Sequence, residues 1–138
     1  MKKALGLVLT LLILAAVAIA KPTVQPFPKT LINARYVYVT SYDGDQFKPN
    51  LWPEDRQAIA AVQNAIENWG RYVVVYKPAD ADMILVVQSR PSEDVLAVYD
   101  ARMPGAIYLW RAMGRGGLQP GEAPLFTQLQ AAVEKASK

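Results

Sequence analysis

An α+β domain is predicted for this chain: a mostly antiparallel or mixed five-stranded sheet with two helices packed on one face, in the order β-α-β-β-β-β-α. Three observations carry the prediction. Tyrosine and valine alternate across 36–42 with the period of two that marks a strand, while Ile59, Val62, Ile66 and Trp69 recur with the period of a helix. Most of the remaining strand-like segments then follow one another with no helix between them. That order argues against a large doubly wound sheet and gathers the helices on one side.

The elements follow in turn. Residues 35–42 read as the first strand, with Tyr36, Tyr38, Thr40 and Tyr42 opposing Val37, Val39 and Ser41, and Asp43-Gly44-Asp45 supplies the turn that ends it. The clearest helix is 53–69. Pro53 suits its first position, Glu54 and Asp55 sit at the positive end of its dipole, Ala58 and Ala65 flank its apolar stripe, and Gly70 is placed to stop it. Residues 71–76 form the next strand, and Pro78-Ala79-Asp80 turns the chain. Residues 83–87 are apolar at every position, which predicts a central strand covered on both faces. Beyond Pro91-Ser92 come strands at 95–99 and 106–110, joined at Pro104-Gly105. A glycine-rich loop occupies 114–121. The last helix, 123–136, places Leu125, Leu129, Ala132, Val133 and Ala136 on one face. If the first two strands pair in parallel, their helical crossover is expected to be right-handed.

Ahead of the domain, Met1-Lys2-Lys3 precedes 17 residues, Ala4 to Ala20, without a charge, and Ala18-Ile19-Ala20 closes them with small residues. Basic start, apolar centre and small-residue exit match a secretory signal, so residues 1–20 are expected to be a signal peptide cleaved after Ala20. The alternative is an uncleaved inner-membrane anchor, because 17 residues is the lower limit for a span; membrane association is expected only in that case. The expected location is periplasmic or secreted. Pro22, Pro26 and Pro28 give 21–33 the character of an extended linker, and 34–138 are expected to form a single domain.

Composition excludes several functions. There is no cysteine, hence no disulfide and no amino-terminal lipid attachment, and no histidine, hence none of the histidine-dependent triads or usual zinc sites. With Lys2 and Lys3 removed, the net charge falls from +3 to +1, and the charges are scattered, unlike the clustered footprint of a nucleic-acid binder. Ser41, Ser89, Ser92 and Ser137 lie in no recognisable motif. Gly114-Arg115-Gly116-Gly117 lacks the spacing of a phosphate loop; an anion nest with Arg111 or Arg115 is the alternative to a plain connection. No cofactor and no catalytic or metal-binding residue is assigned. The carboxylates Asp43, Asp45, Asp80 and Asp82 are the candidates for a carboxylate- or metal-dependent enzyme.

The seven tyrosines all fall on expected strands. Tyr36, Tyr38 and Tyr42 share one parity, Tyr72 and Tyr76 share another strand's, and Trp110 shares that of Tyr108, so each set points to one side of its strand. The expectation is an aliphatic face for the helices and an aromatic face, with Tyr36, Tyr38, Tyr42, Tyr72, Tyr76 and Trp110 as candidate contact residues. Ordinary half-wet sheet tyrosines are the competing account.

Val98-Tyr99-Asp100 leads to Leu109-Trp110-Arg111-Ala112, then a glycine loop and a last amphipathic helix, with Gly70-Arg71-Tyr72 and Ala81-Asp82-Met83-Ile84-Leu85-Val86-Val87 upstream. This resembles small exported bacterial α/β domains of unknown function that carry a Leu-Trp-Arg-Ala phrase. It is also distantly similar in element order to domains of cell-envelope assembly proteins and lipoproteins. The lack of a cysteine departs from the lipoprotein members. The resemblance implies no catalytic residue. Export, the missing catalytic residue types and the tyrosine face lead to the first reading, a non-catalytic periplasmic or secreted binding module of the envelope with a protein or glycan partner. A self-associating structural subunit is the third reading.

Overall fold

Four of the five strands run in one direction and one, next to an edge, runs against them. The computed structural model describes residues 25–138 except 104, 106, 120 and 122; the expected signal peptide and the first residues after it lie outside the described residues. The elements are β1 (Tyr36–Ser41), α1 (Pro53–Trp69), β2 (Val73–Val75), β3 (Met83–Ser89), β4 (Asp94–Asp100), β5 (Trp110–Gly114) and α2 (Pro124–Ala136), with short 3-10 turns at Lys29–Leu31 and Pro78–Asp80. The sheet order is β2-β1-β3-β4-β5. β1 pairs in parallel with β2 and β3, whereas β3–β4 and β4–β5 are antiparallel. The sheet is therefore mixed, with five strands and two helices as predicted.

Side-chain alternation divides the sheet cleanly. Val37, Val39, Val74, Met83, Leu85, Val87, Leu96, Val98, Trp110 and Ala112 point to the helices and join Ile59, Val62 and Ile66 of α1 and Leu125, Leu129 and Val133 of α2 in one core. α1 ends where Gly70 adopts φ 77° and returns its N–H to the Ile66 carbonyl, a left-handed stop that costs a glycine nothing.

Four expectations need correction. Residues 25–33 are not a linker. Phe27 and Leu31 are buried in the core, and the Trp110 indole N–H donates to the Gln25 carbonyl at 3.1 Å, so this segment closes the end of the sheet. The last strand is not 106–110 but starts at Trp110, because β5 takes its register from β4: Val98 faces Trp110 and Asp94 faces Gly114. Ile107, Tyr108 and Leu109 belong to no strand and Ile107 is 80% exposed, whereas Pro104 and Ala106 of the expected turn and strand lie outside the described residues. β2 is three residues rather than six, and above it the chain fills β1's free side with the Ser41–Gly44 bridge instead. Finally, β3 has a helix layer on one face only. Its other face, with Ile84 and Val86, is shielded by neighbouring side chains, among them Tyr42, Tyr99 and Met103.

From the end of β2 the chain passes β1 to reach β3 on its far side. α1 occupies the helical side of β1, and Tyr76 to Asp80 are all exposed, so this crossover lies on the open face. Asp82 secures its landing: Oδ2 accepts the backbone N–H groups of Arg35 and Tyr36, each at 3.0 Å. Those two bonds hold the Asp82 carboxyl below the usual carboxylate range.

Candidate functional site

The open face of the sheet carries the second parity of every strand: Tyr36, Tyr38 and Thr40 from β1, Val73 and Val75 from β2, Ile84 and Val86 from β3, Val95, Ala97 and Tyr99 from β4, Arg111 and Met113 from β5. Aromatic and aliphatic side chains here have neither α1 nor α2 above them, and the crossover with its Pro78–Asp80 turn contacts β1. Tyr38 is nearly buried among its neighbours and its hydroxyl lies 3.4 Å from Asp45 Oδ2, while Tyr36 stays exposed with the Arg35 guanidinium 6.0 Å from its ring centre.

Of the six candidate residues, the structure brings three to this face and sends three elsewhere. Tyr36, Tyr38 and Tyr42 are together. Tyr72 and Trp110, 5% and 1% exposed, belong to the core on the helical side. Tyr72 packs edge-on against Trp69 with ring centres 5.4 Å apart. Tyr76 is exposed beyond the end of β2, at the start of the crossover. Parity places Tyr36 and Tyr38 on one side of β1, but the other two expected sets are split. Tyr72 is buried and Tyr76 exposed, and Trp110 is in the core while Tyr108 lies beside Arg111, because Tyr72, Tyr76 and Tyr108 fall outside the strands. Parity also lacks a link between strands. Tyr36 sits opposite Val73 and Val37 opposite Val74, so the parity that is aromatic on β1 is aliphatic on β2.

Tyr99, Tyr108 and Arg111 complete the patch without having been singled out as contact residues. The Tyr42 and Tyr99 hydroxyls are 3.5 Å apart, and the Arg111 guanidinium lies 5.4 Å from the centre of the Tyr108 ring. Burial and the adjacent Tyr99 hydroxyl push the Tyr42 phenol up to about 12, so it is a neutral donor at any physiological pH. Arg111 Nε is buried with no partner, and among the described residues no carboxylate forms an ion pair with this guanidinium. Beside it a shallow depression of about 260 Å³ is lined by Tyr42, Ile84, Val86, Tyr99 and Met103. Met103 on its rim is exposed, as are Ile107 and Met113, while Ser41 and Asp100 add polar groups to its lining. Met103 comes from the connection between β4 and β5, and a sequence signal was available in the run Ile107-Tyr108-Leu109, which is too apolar for an ordinary solvent loop.

The carboxylate candidates are dispersed and structurally engaged. Asp43 pairs with Arg90, Asp45 caps the Phe47 N–H at 2.9 Å, and Asp82 caps the start of β1. Asp80 is exposed on the crossover. Among the described residues, no three acidic side chains converge as a metal site requires. The two sheet edges are also dissimilar. β2 offers only three residues, and on β5 the Arg111 N–H is taken by Gln25 Oε1 at 3.2 Å. No family model and no curated protein matches this chain.

Proposed function

We propose that this protein is an exported, non-catalytic binding module of the cell envelope, and that its open sheet face docks a protein partner. One observation carries the reading: a sheet containing parallel strands, which ordinarily has helices on both faces, has them on one face only, and its other face leaves Tyr36, Tyr42, Tyr108 and Met113 exposed around the buried Tyr38, Val86, Val95 and Ala97. Tyrosine and arginine are the side chains that dominate protein interfaces, because each offers a large contact area with a polar end. Here Tyr36, Tyr42 and Tyr108 provide the area, and Arg111 provides a charge that no described carboxylate neutralises. The fitting partner is a protein segment with apolar side chains and at least one carboxylate.

Site-directed photocrosslinking in cells tests this. A photoreactive residue at position 42 is expected to trap a discrete partner, which Arg111→Glu abolishes; the same probe at Glu67, on the solvent side of α1, is expected to trap none. Equal trapping at both positions, or trapping that survives Arg111→Glu, would sink the proposal.

A further inference from the structure

On the opposite side of the molecule, α1 and α2 both lie on the sheet but leave between them a groove of about 590 Å³, well within the size range of small-ligand sites. Helices on one sheet face ordinarily close this seam with large apolar side chains. Along the groove, α1 instead shows Ala60, Ala61 and Ala65, which are too short to reach across.

The polar part of the lining is unusual in kind. Gln57, Asn64 and Asn68 recur along the same side of α1 at helical spacing, and Thr127 and Gln130 face them from α2. None of the described lining residues carries a charge, although α1 and α2 place Glu54, Arg56, Glu67, Glu134 and Lys135 elsewhere on their surfaces. Neutrality is therefore a property of the groove and not of the helices. Among the described residues, Gln57, Asn64, Asn68 and Gln130 have no hydrogen bond to another protein side chain; the amide pair that does form, Gln63 to Gln46 at 2.7 Å, lies outside the groove. The floor is aromatic. Trp69 and Phe126 meet edge to face with ring centres 5.9 Å apart, and Trp69 remains half-buried, with part of its ring accessible from the groove.

We infer that this groove binds an uncharged, hydroxyl-rich ligand, a segment of neutral oligosaccharide. Each primary amide offers two donors and one acceptor, the combination that can both receive from and give to a sugar hydroxyl. An aromatic surface supplies a flat apolar contact for the C–H side of a sugar ring. The lack of a lysine or arginine in the described lining disfavours phosphates and acidic sugars, and the lack of a carboxylate disfavours cations. A peptide in extended form is a weaker fit, because two helix flanks present no free backbone to pair with it. The inference is independent of the partner proposed for the sheet face, since the two surfaces lie on opposite sides of the sheet.

The test is a titration of the isotope-labelled protein, as recovered from expressing cells, followed by NMR of its backbone and Asn/Gln side-chain amides. The probes are a β-linked N-acetylglucosamine tetramer, a maltose-type glucose tetramer, an acidic galacturonate tetramer and a neutral alanine-rich peptide. A neutral saccharide is expected to move the side-chain resonances of Asn64, Asn68 and Gln130 at millimolar concentration. Asn64→Ala with Asn68→Ala is expected to weaken binding by about ten-fold, the scale of lost hydrogen bonds, and Ala61→Arg to abolish it by filling the groove. All three positions lie on the helix surface, so an unchanged backbone spectrum certifies the fold of each variant. The inference is overturned if neither neutral saccharide shifts these resonances, if Ala61→Arg leaves binding intact, or if the peptide or the acidic tetramer binds there in their place.

Discussion

Arg90 joins Asp55 to Asp43: its Nη1 lies 2.9 Å from Asp55 Oδ1 and its Nη2 lies 2.7 Å from Asp43 Oδ2. One guanidinium thus ties the first turn of α1 to the end of β1, and it stacks 4.7 Å from the centre of the Trp52 ring. Asp55 has no solvent exposure and also accepts the Ser89 N–H at 2.9 Å, so β3 is fastened to the same carboxylate. Removing one member of a buried pair leaves the other charge without compensation. Asp55→Ala is expected to cost about 3–5 kcal/mol in chemical denaturation. Asp43→Ala, at the half-exposed end of the network, is expected to cost less than about 1 kcal/mol. Equal losses for the two would show that burial does not set the strength of this cluster.

Gly117 marks the closest approach between the loop after β5 and α2. A methyl group built there would lie within van der Waals overlap of Leu125 Cγ, and the Leu125 N–H donates to the Gly117 carbonyl at 3.1 Å. Gly117→Ala is therefore expected to destabilise by about 1–3 kcal/mol through overpacking. Combined with Leu125→Ala, which opens the space the methyl needs, its cost should shrink well below the sum of the single losses. Strict additivity would mean that the loop relaxes away from α2 without strain.

The contrast between these elements and β5 explains what was legible in the sequence. α1 and α2 were readable nearly to the residue because a helix carries its own signal: an apolar stripe, a proline start, a glycine stop. β5 was displaced because a strand's limits are set by its partner, and the Val98–Trp110 register is not written in residues 106–110 alone. The same gap affected the candidate face. Within one strand, parity placed Tyr36 and Tyr38 together correctly, but nothing local relates that parity to the parity of Tyr72 or Trp110. The groove between the helices was legible in part. Gln57, Ala61, Asn64, Ala65 and Asn68 form a neutral stripe at helical spacing, but its meaning depends on α2 standing off from it.

Asp82 gives the fold a specific acid sensitivity. Two backbone N–H groups stabilise its charged form in the native state, so its carboxyl titrates below the ordinary value of 3.8. Asp100 is held low in the same direction, first by the Arg102 guanidinium at 3.1 Å. A carboxyl with a lowered folded pKa contributes stability that is fully present above its unfolded value and is lost as pH falls through the folded one. Stability should accordingly drop as pH falls below about 4, where the unfolded chain takes up protons first. Asp82→Asn is expected to lower stability at neutral pH and to flatten the acid limb of the curve, measured by denaturant midpoints across that range. An acid limb unchanged by the substitution would place the sensitivity in other carboxylates.

Tyr72 supplies the sharpest check on the division of the aromatics. Its ring is buried in the core against Trp69, yet its hydroxyl is buried without a hydrogen-bond partner. A desolvated, unpaired hydroxyl costs on the order of 1–3 kcal/mol, whereas the ring itself contributes packing on the scale of other large core residues. The two halves of the side chain therefore oppose each other. Tyr72→Phe keeps the ring and removes the unpaired group, and it is expected to leave stability unchanged or raise it by about 1 kcal/mol. Tyr72→Ser removes the ring and is expected to cost about 3–5 kcal/mol, as large core truncations do. Neither should alter crosslinking from position 42 as long as the protein remains folded, because Tyr72 points away from the open face. If Tyr72→Phe proves strongly destabilising, the hydroxyl has a partner in solution and the core around Trp69 is wetter than its packing indicates. If it instead abolishes crosslinking from position 42 while the fold persists, the partner reaches the helical side of the sheet, and the open face is not the docking surface.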